Sequence, residues 1–137
     1  MIALKYFAII NKKADIIHQL NALAHMSLGL GHQLSDESSH FHDYIDGSGG
    51  IHPNISMYPF IIYSSKNSNQ IKRIKAELIA LECRHTNFLH TMLEGGHEEQ
   101  VKQTREIDSE NLEYIGLCGR SNDESVLALL KKLSLYR

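Results

Sequence analysis

The run ALKYFAII at residues 3–10 constrains this chain more than any other stretch. It is rich in aliphatic and aromatic side chains and ends in the polar step Asn11-Lys12-Lys13. Successive side chains of a strand point to opposite faces of its sheet, so an apolar run without alternation belongs to a strand covered on both sides. The segments that follow supply the covers. Asp15 stands where a side chain can cap a helix. Ile16, Leu20, Leu23, Ala24 and Leu28 recur behind it at helical spacing, and Gly29 and Gly31 are the expected end of that helix. Phe41, Tyr44 and Ile45 mark a short strand. DGSGG (46–50) is a turn in which Asp46 makes an Asx-turn, and Ile51 opens a second strand of a hairpin.

YPFIIYS (58–64) is the next strong strand. Asn67 or Ser68 then opens a helix carrying Ile71, Ile74, Leu78 and Leu81. CRHTNFLH (83–90) reads as a strand, EGGHEEQVKQTRE (94–106) as a polar surface helix, and LEYIGLCG (112–119) as a further strand. Ser121 or Asn122 caps a last helix, and SLYR adds a short terminal strand. Strand and helix alternate, which predicts a single α/β domain over 1–137 with helices flanking a mixed, mostly parallel sheet.

Composition narrows the function classes. Lys+Arg 14 against Asp+Glu 16 gives a net charge of -2. That balance provides no general attraction to nucleic acid or to an anionic membrane. The N-terminus lacks a signal peptide pattern, and no 18-residue apolar span is present. Cys83 and Cys118 form no CxxC or disulfide framework, which suits a reducing compartment. The expectation is a cytoplasmic protein with no membrane partner.

His18, His25 and His32 repeat every seven residues. On a helix they fall about 20° apart and form one stripe. Neighbours in that stripe are ~10 Å apart, too far to share a metal. The stripe either faces a polar cleft or comprises unrelated histidines, His25 being packed and hydrogen-bonded. His40 and His42 share a strand face, and Asp46 or His52 could join them at a metal; the competing reading is a polar strand edge. HEEQ at 97–100 lacks the second histidine of a zinc-protease helix. GSGG is not a phosphate loop, and no GxSxG elbow occurs. No cofactor and no metal are expected.

LAHMSLGLG (23–31), DGSGGIHPNI (46–55) and the strand YIGLCG (114–119) followed by a helix give the chain a resemblance over nearly its whole length. It resembles the bacterial family catalogued as domain of unknown function 2000. That family is similar in fold to the type-II peptidyl-tRNA hydrolases, which place a histidine beside small residues on their first helix and commonly form dimers. Those hydrolases have a Gln three residues before the histidine and an Asp-x-x-x-Thr element after a strand. Here Ala22 stands three before His25, with Asn21 one position further away, and Asn87 to Thr91 matches the second spacing with an amide for the carboxylate. An amide accepts no proton near neutrality, so Asn87 would orient substrate rather than act as base.

The resemblance and the residues together give the expected site. His25 and Thr91 are the catalytic candidates, and Asn21, His52 and Asn87 the ligand-binding ones, around one cleft. The expected function is hydrolysis of a small or tRNA-linked ester. The alternative is a non-catalytic small-ligand-binding module, or an oligomeric one in which the apolar helices pair across a two-fold axis as a homodimer.

Overall fold

The computed structural model describes residues 3–35 and 40–137. Its frame is a five-stranded sheet. β1 (Lys5–Asn11), β4 (Phe60–Ser65), β5 (His85–Leu89), β6 (Tyr114–Ser121) and β7 (Ser134–Leu135) lie in the order β5-β6-β1-β4-β7. β2 (Phe41–Ile45) and β3 (Ile51–Ser56) form a separate hairpin. α1 (Ile16–Gln33) covers one face of the sheet. α2 (Ser68–Ala80) and α4 (Glu124–Leu130) cover the other. α3 (His97–Arg105) stands beyond the β5 edge.

β1 is central and buried on both sides, as its unbroken apolar run requires. Phe7 and Ile9 pack with Ile71, Leu78, Leu117 and Leu130 under α2 and α4. Tyr6, Ala8 and Ile10 pack with Ala22, Met26 and Leu30 under α1. The sheet is mixed, but it is not mostly parallel. Only β1 and β4 pair in parallel; the other three pairings are antiparallel. The reason lies in adjacency. The crossovers through α1, α2 and α4 do join strands of like direction. After β5, however, the chain turns back past α3 and inserts β6 between β5 and β1, so parallel-running strands are separated by an opposed one.

α1 departs from the sequence reading in two ways. It runs through Gly29 and Gly31 to Gln33. Leu30 and Leu34 continue a buried row with Gln19, Ala22 and Met26, and this packing outweighs the low helix propensity of glycine. Of the row expected inside, Leu23 packs against the core, but Ile16, Leu20 and Leu28 are outside, 60%, 56% and 73% exposed. α1 holds no Asp, Glu, Lys or Arg, so its hydrophobic pattern selects no single face. Asp15 occupies the N-cap position without a side-chain capping bond. Asn67 does cap α2, accepting from Gln70 N–H at 2.9 Å. Asp123, not Ser121 or Asn122, caps α4. The hairpin turn forms as expected, with Asp46 Oδ1 accepting from Ser48 and Gly50 N–H and Gly49 at φ +84°. No helix among the described residues is long and apolar enough to cross a membrane.

Two glycines separate close approach from mere propensity. A Cβ on Gly116 would stand 2.7 Å from Met26 Cε and 3.2 Å from the Ile9 carbonyl oxygen, so a methyl there would push the end of the Met26 side chain aside and crowd the β1 backbone. A Cβ on Gly31 meets nothing within 4 Å. Gly116→Ala should therefore cost ~1–3 kcal/mol through overpacking, whereas Gly31→Ala should gain ~0.5–1 kcal/mol of helix stability. Urea midpoints of the two variants should move in opposite directions at unchanged slope.

Candidate functional site

A hollow opens at the β5 edge, and its three sides come from three different parts of the chain. α1 supplies His25 and Met26; β5 supplies Thr86, Asn87 and Phe88; α3 supplies His97, Gln100, Val101, Thr104 and Arg105, with Met92 at the base. The volume is about 760 Å³, within the range of small-ligand sites. Met26 and Phe88 are core residues whose surfaces reach the hollow, so its floor is apolar. The lining contains no Asp or Glu.

His25 is not sealed in the core. Its ring lies exposed at the mouth of the cleft, stacked on Phe88 with centroids 5.6 Å apart and planes inclined by 23°. The stack fixes the imidazole plane while leaving its edge to the cleft. Asn87 sits on the edge strand and accepts a hydrogen bond from Lys75 Nζ of α2. Burial lowers the Lys75 pKa from the usual lysine value.

α3 explains why the hollow exists. His97, Gln100, Val101, Thr104 and Arg105 share one side of the helix, because residues three and four apart stack on the same face. That side meets space rather than core, and no residue of α3 is buried. A nine-residue helix is marginal alone in water. It is tethered through Thr91, which is 3% exposed in the 3-10 turn after β5. Thr104 Oγ1 donates to the Gln100 carbonyl at 2.7 Å, so the Thr91 hydroxyl donates to Thr104 Oγ1 at 2.6 Å.

Of the five residues expected to converge, His25 and Asn87 line this cleft, although Asn87 Oδ1 is turned to Lys75 of α2. Thr91 lies behind its wall, with its hydroxyl spent on Thr104, so it holds α3 and does not line the cleft. Asn21 is exposed on α1 and does not line the cleft. His52 lies on the hairpin, where Nε2 pairs with Asp46 Oδ2 at 2.8 Å. His40 Nδ1 bonds the Tyr6 hydroxyl at 2.9 Å, away from His52. Among the described residues no cluster of three or more His, Cys, Asp or Glu is placed to hold a metal. The thiols of Cys83 and Cys118 are pushed up to about 11 and about 12, both chiefly by burial, which leaves them protonated and poor nucleophiles at neutral pH.

The sequence reading missed His97, Gln100 and Arg105. Their signal was present: HEEQVKQTR places Glu98, Glu99, Lys102 and Gln103 on one side of a helix and the acid-free side opposite. A second hollow of about 570 Å³ lies where β1 ends and α2 begins. Two of its polar side chains are already engaged: Lys72 Nζ donates to the Glu110 carbonyl, and Asn11 bonds Tyr114 C=O and Lys13 N–H.

With this geometry in place, the comparisons are informative about fold and family. The family model described as "Protein of unknown function (DUF2000)" matches residues 4–137. The solved structure of a protein of unknown function, Atu0240, from Agrobacterium tumefaciens strain C58 matches over 100% of both chains at 16% identity, with a TM-score of 0.83. At that identity the likeness concerns the fold alone. No curated protein matches the chain.

If the Thr91–Thr104 bond secures α3, Thr91→Val should cost ~1 kcal/mol and speed amide exchange in residues 97–105 well beyond that in α2. Equal acceleration in both helices would show that Thr91 matters only to the core.

Proposed function

This chain belongs to the DUF2000 family, and we propose that it binds a small, partly apolar, anionic ligand in the cleft between α1, β5 and α3. The observation that carries this reading is the inner side of α3, which presents Val101 and Arg105 to a hollow instead of to the core. A ligand with an apolar body would cover Met26, Phe88 and Val101. Its anionic group would meet Arg105, which has no carboxylate partner among the described residues, and the His25 ring would lie against it. The unpaired Cys83 and Cys118 fit a reducing, cytoplasmic setting for such a protein.

A second reading is favoured by His25 and Asn87 lining one cleft. On that reading the protein is an esterase-like hydrolase of the type-II peptidyl-tRNA hydrolase kind. Imidazole is the one side chain whose ordinary titration falls near neutrality, so His25 would be the acid-base group and the Asn87 amide would orient the ester. This reading has lost a partner, because the Thr91 hydroxyl points to Thr104. A separate proposal concerns assembly. The exposed, uncharged row Ile16, Leu20 and Leu28 is a surface a homodimer would cover, and a monomeric mass by light scattering would remove it.

Ligand binding is tested by thermal-shift screening of aromatic carboxylates and phosphates. A true ligand at a hundred times its Kd should stabilise the native state by ~2.7 kcal/mol, and both His25→Ala and Val101→Glu should abolish the shift while leaving the unliganded melting temperature near wild type. Turnover of model esters or peptidyl-tRNA that His25→Ala eliminates would move the conclusion to the hydrolase reading. Ligands that shift wild type and both variants equally would place binding elsewhere.

A further inference from the structure

β5 is an edge strand, and its outer side opens into the cleft. The Arg120 N–H donates to the Arg84 carbonyl at the start of the β5–β6 ladder. Antiparallel pairing alternates, so Thr86 and Phe88, registered with Cys118 and Gly116, turn their main-chain groups toward β6. His85 and Asn87 must then turn theirs outward. The His85 carbonyl is already taken, accepting from Gln33 Nε2 at 3.2 Å. The outward N–H and C=O of Asn87 face the same hollow as His25, Val101 and Arg105.

An open strand edge is a template for another strand, and proteins commonly shorten, charge or cover such edges. The opposite edge is protected in that way, since β7 has two residues. β5 has five, HTNFL, with no lysine and no proline. Its flanks are also matched to a peptide. Apolar Met26, Phe88 and Val101 can receive alternate side chains. The single fixed cation, Arg105, lies in a lining that contains no acid, on a protein whose net charge is -2.

We propose that the ligand of this cleft is an extended peptide segment, which adds to β5 as a sixth strand through the main chain of Asn87 and sets a carboxylate against Arg105. The proposal rests on the cleft reading above and names its ligand class. Main-chain pairing supplies affinity, and the apolar and cationic positions supply selectivity. The bound segment would also give the inner side of α3 the packing it lacks.

The test uses positional-scanning libraries of hexapeptides, one set carrying a glutamate and a matched set carrying a lysine, each prepared with free and amidated C-termini. Binding is followed by fluorescence polarisation and by amide NMR. The acidic set should bind at least about tenfold more tightly than the lysine set. Arg105→Glu should erase that preference, and amidation should reveal whether the carboxylate is a side chain or the terminus. Methylating the peptide nitrogen that pairs with β5 should weaken binding about tenfold or more, and the Asn87 amide should become protected from exchange on binding. The proposal is overturned if N-methylation has no effect, if the Asn87 amide stays unprotected, or if acidic peptides bind no better than basic ones. It is also overturned if the β5 edge proves to be paired with a second copy, seen as Asn87 protection that grows with protein concentration alone. Small anions that perturb the cleft resonances while all peptides fail would sink the peptide proposal and leave the cleft reading intact; silence from both would sink both.

Discussion

Two-sided burial of β1 is the constraint from which the rest of the structure follows. Phe7 and Ile9 on one side and Tyr6, Ala8 and Ile10 on the other are all almost completely excluded from water. Fully burying the phenylalanine and isoleucine side chains contributes ~1.5–3 kcal/mol each, but only if both faces are roofed. The chain meets that demand unequally. Two helices, α2 and α4, roof the Phe7 side, and one helix, α1, roofs the other. α1 must therefore approach the sheet closely, and Gly116 in the neighbouring strand permits it by leaving room for Met26. The same approach carries His25, one residue before Met26, to the rim of β5, where it stacks on Phe88. The position of the candidate site is thus a consequence of how the core is closed.

Much of this frame was legible in the sequence. β1, β4 and β6 could be read because apolar runs bounded by polar or turn residues leave few alternatives. The hairpin turn could be read because Asp46 and the glycines have a specific backbone role there. α1 could be recognised but not oriented, since a helix without one charged residue gives no polar face to place outward. Its glycines looked like a stop signal because propensity is local, and the packing of Leu30 and Leu34 that overrides it is not. Strand adjacency was the other gap. Alternating elements fix the direction in which strands run, but the insertion of β6 between β5 and β1 depends on a reversal that no residue pattern announces.

The site was legible only in part, and for a related reason. His25 and Asn87 were found because each stands at an element whose position the fold dictates. Thr91 drew a chemical role from the spacing it shares with the Asp-x-x-x-Thr element of the resembling hydrolases, yet its burial and its bond to Thr104 make it a tether. His52 was a ligand-binding candidate, and His52 or Asp46 a possible partner of His40 and His42, yet His52 and Asp46 satisfy each other within six residues of chain on the exposed hairpin. The wall formed by α3 was overlooked because a polar helix is ordinarily read as a solvated face. A helix can be polar on both sides for two reasons, and only the coordinates distinguish them: one side can face water, and the other a cleft.

That distinction bears on stability as well as recognition. α3 buries no residue of its own and connects to the body through one threonine pair and the turn that precedes it. Gly95 at φ +81° and Gly96 at the N-cap lead into it, so the chain enters the helix through a backbone conformation that most side chains resist. Segments with few buried contacts populate locally open states far more readily than the core does. A protein could remove that weakness by directing leucines inward from α3, and this chain instead directs His97, Gln100, Val101 and Arg105 there. Filling the hollow with its own side chains would secure the helix and erase the cleft, so the open wall is the part of the structure that the proposed ligand would complete.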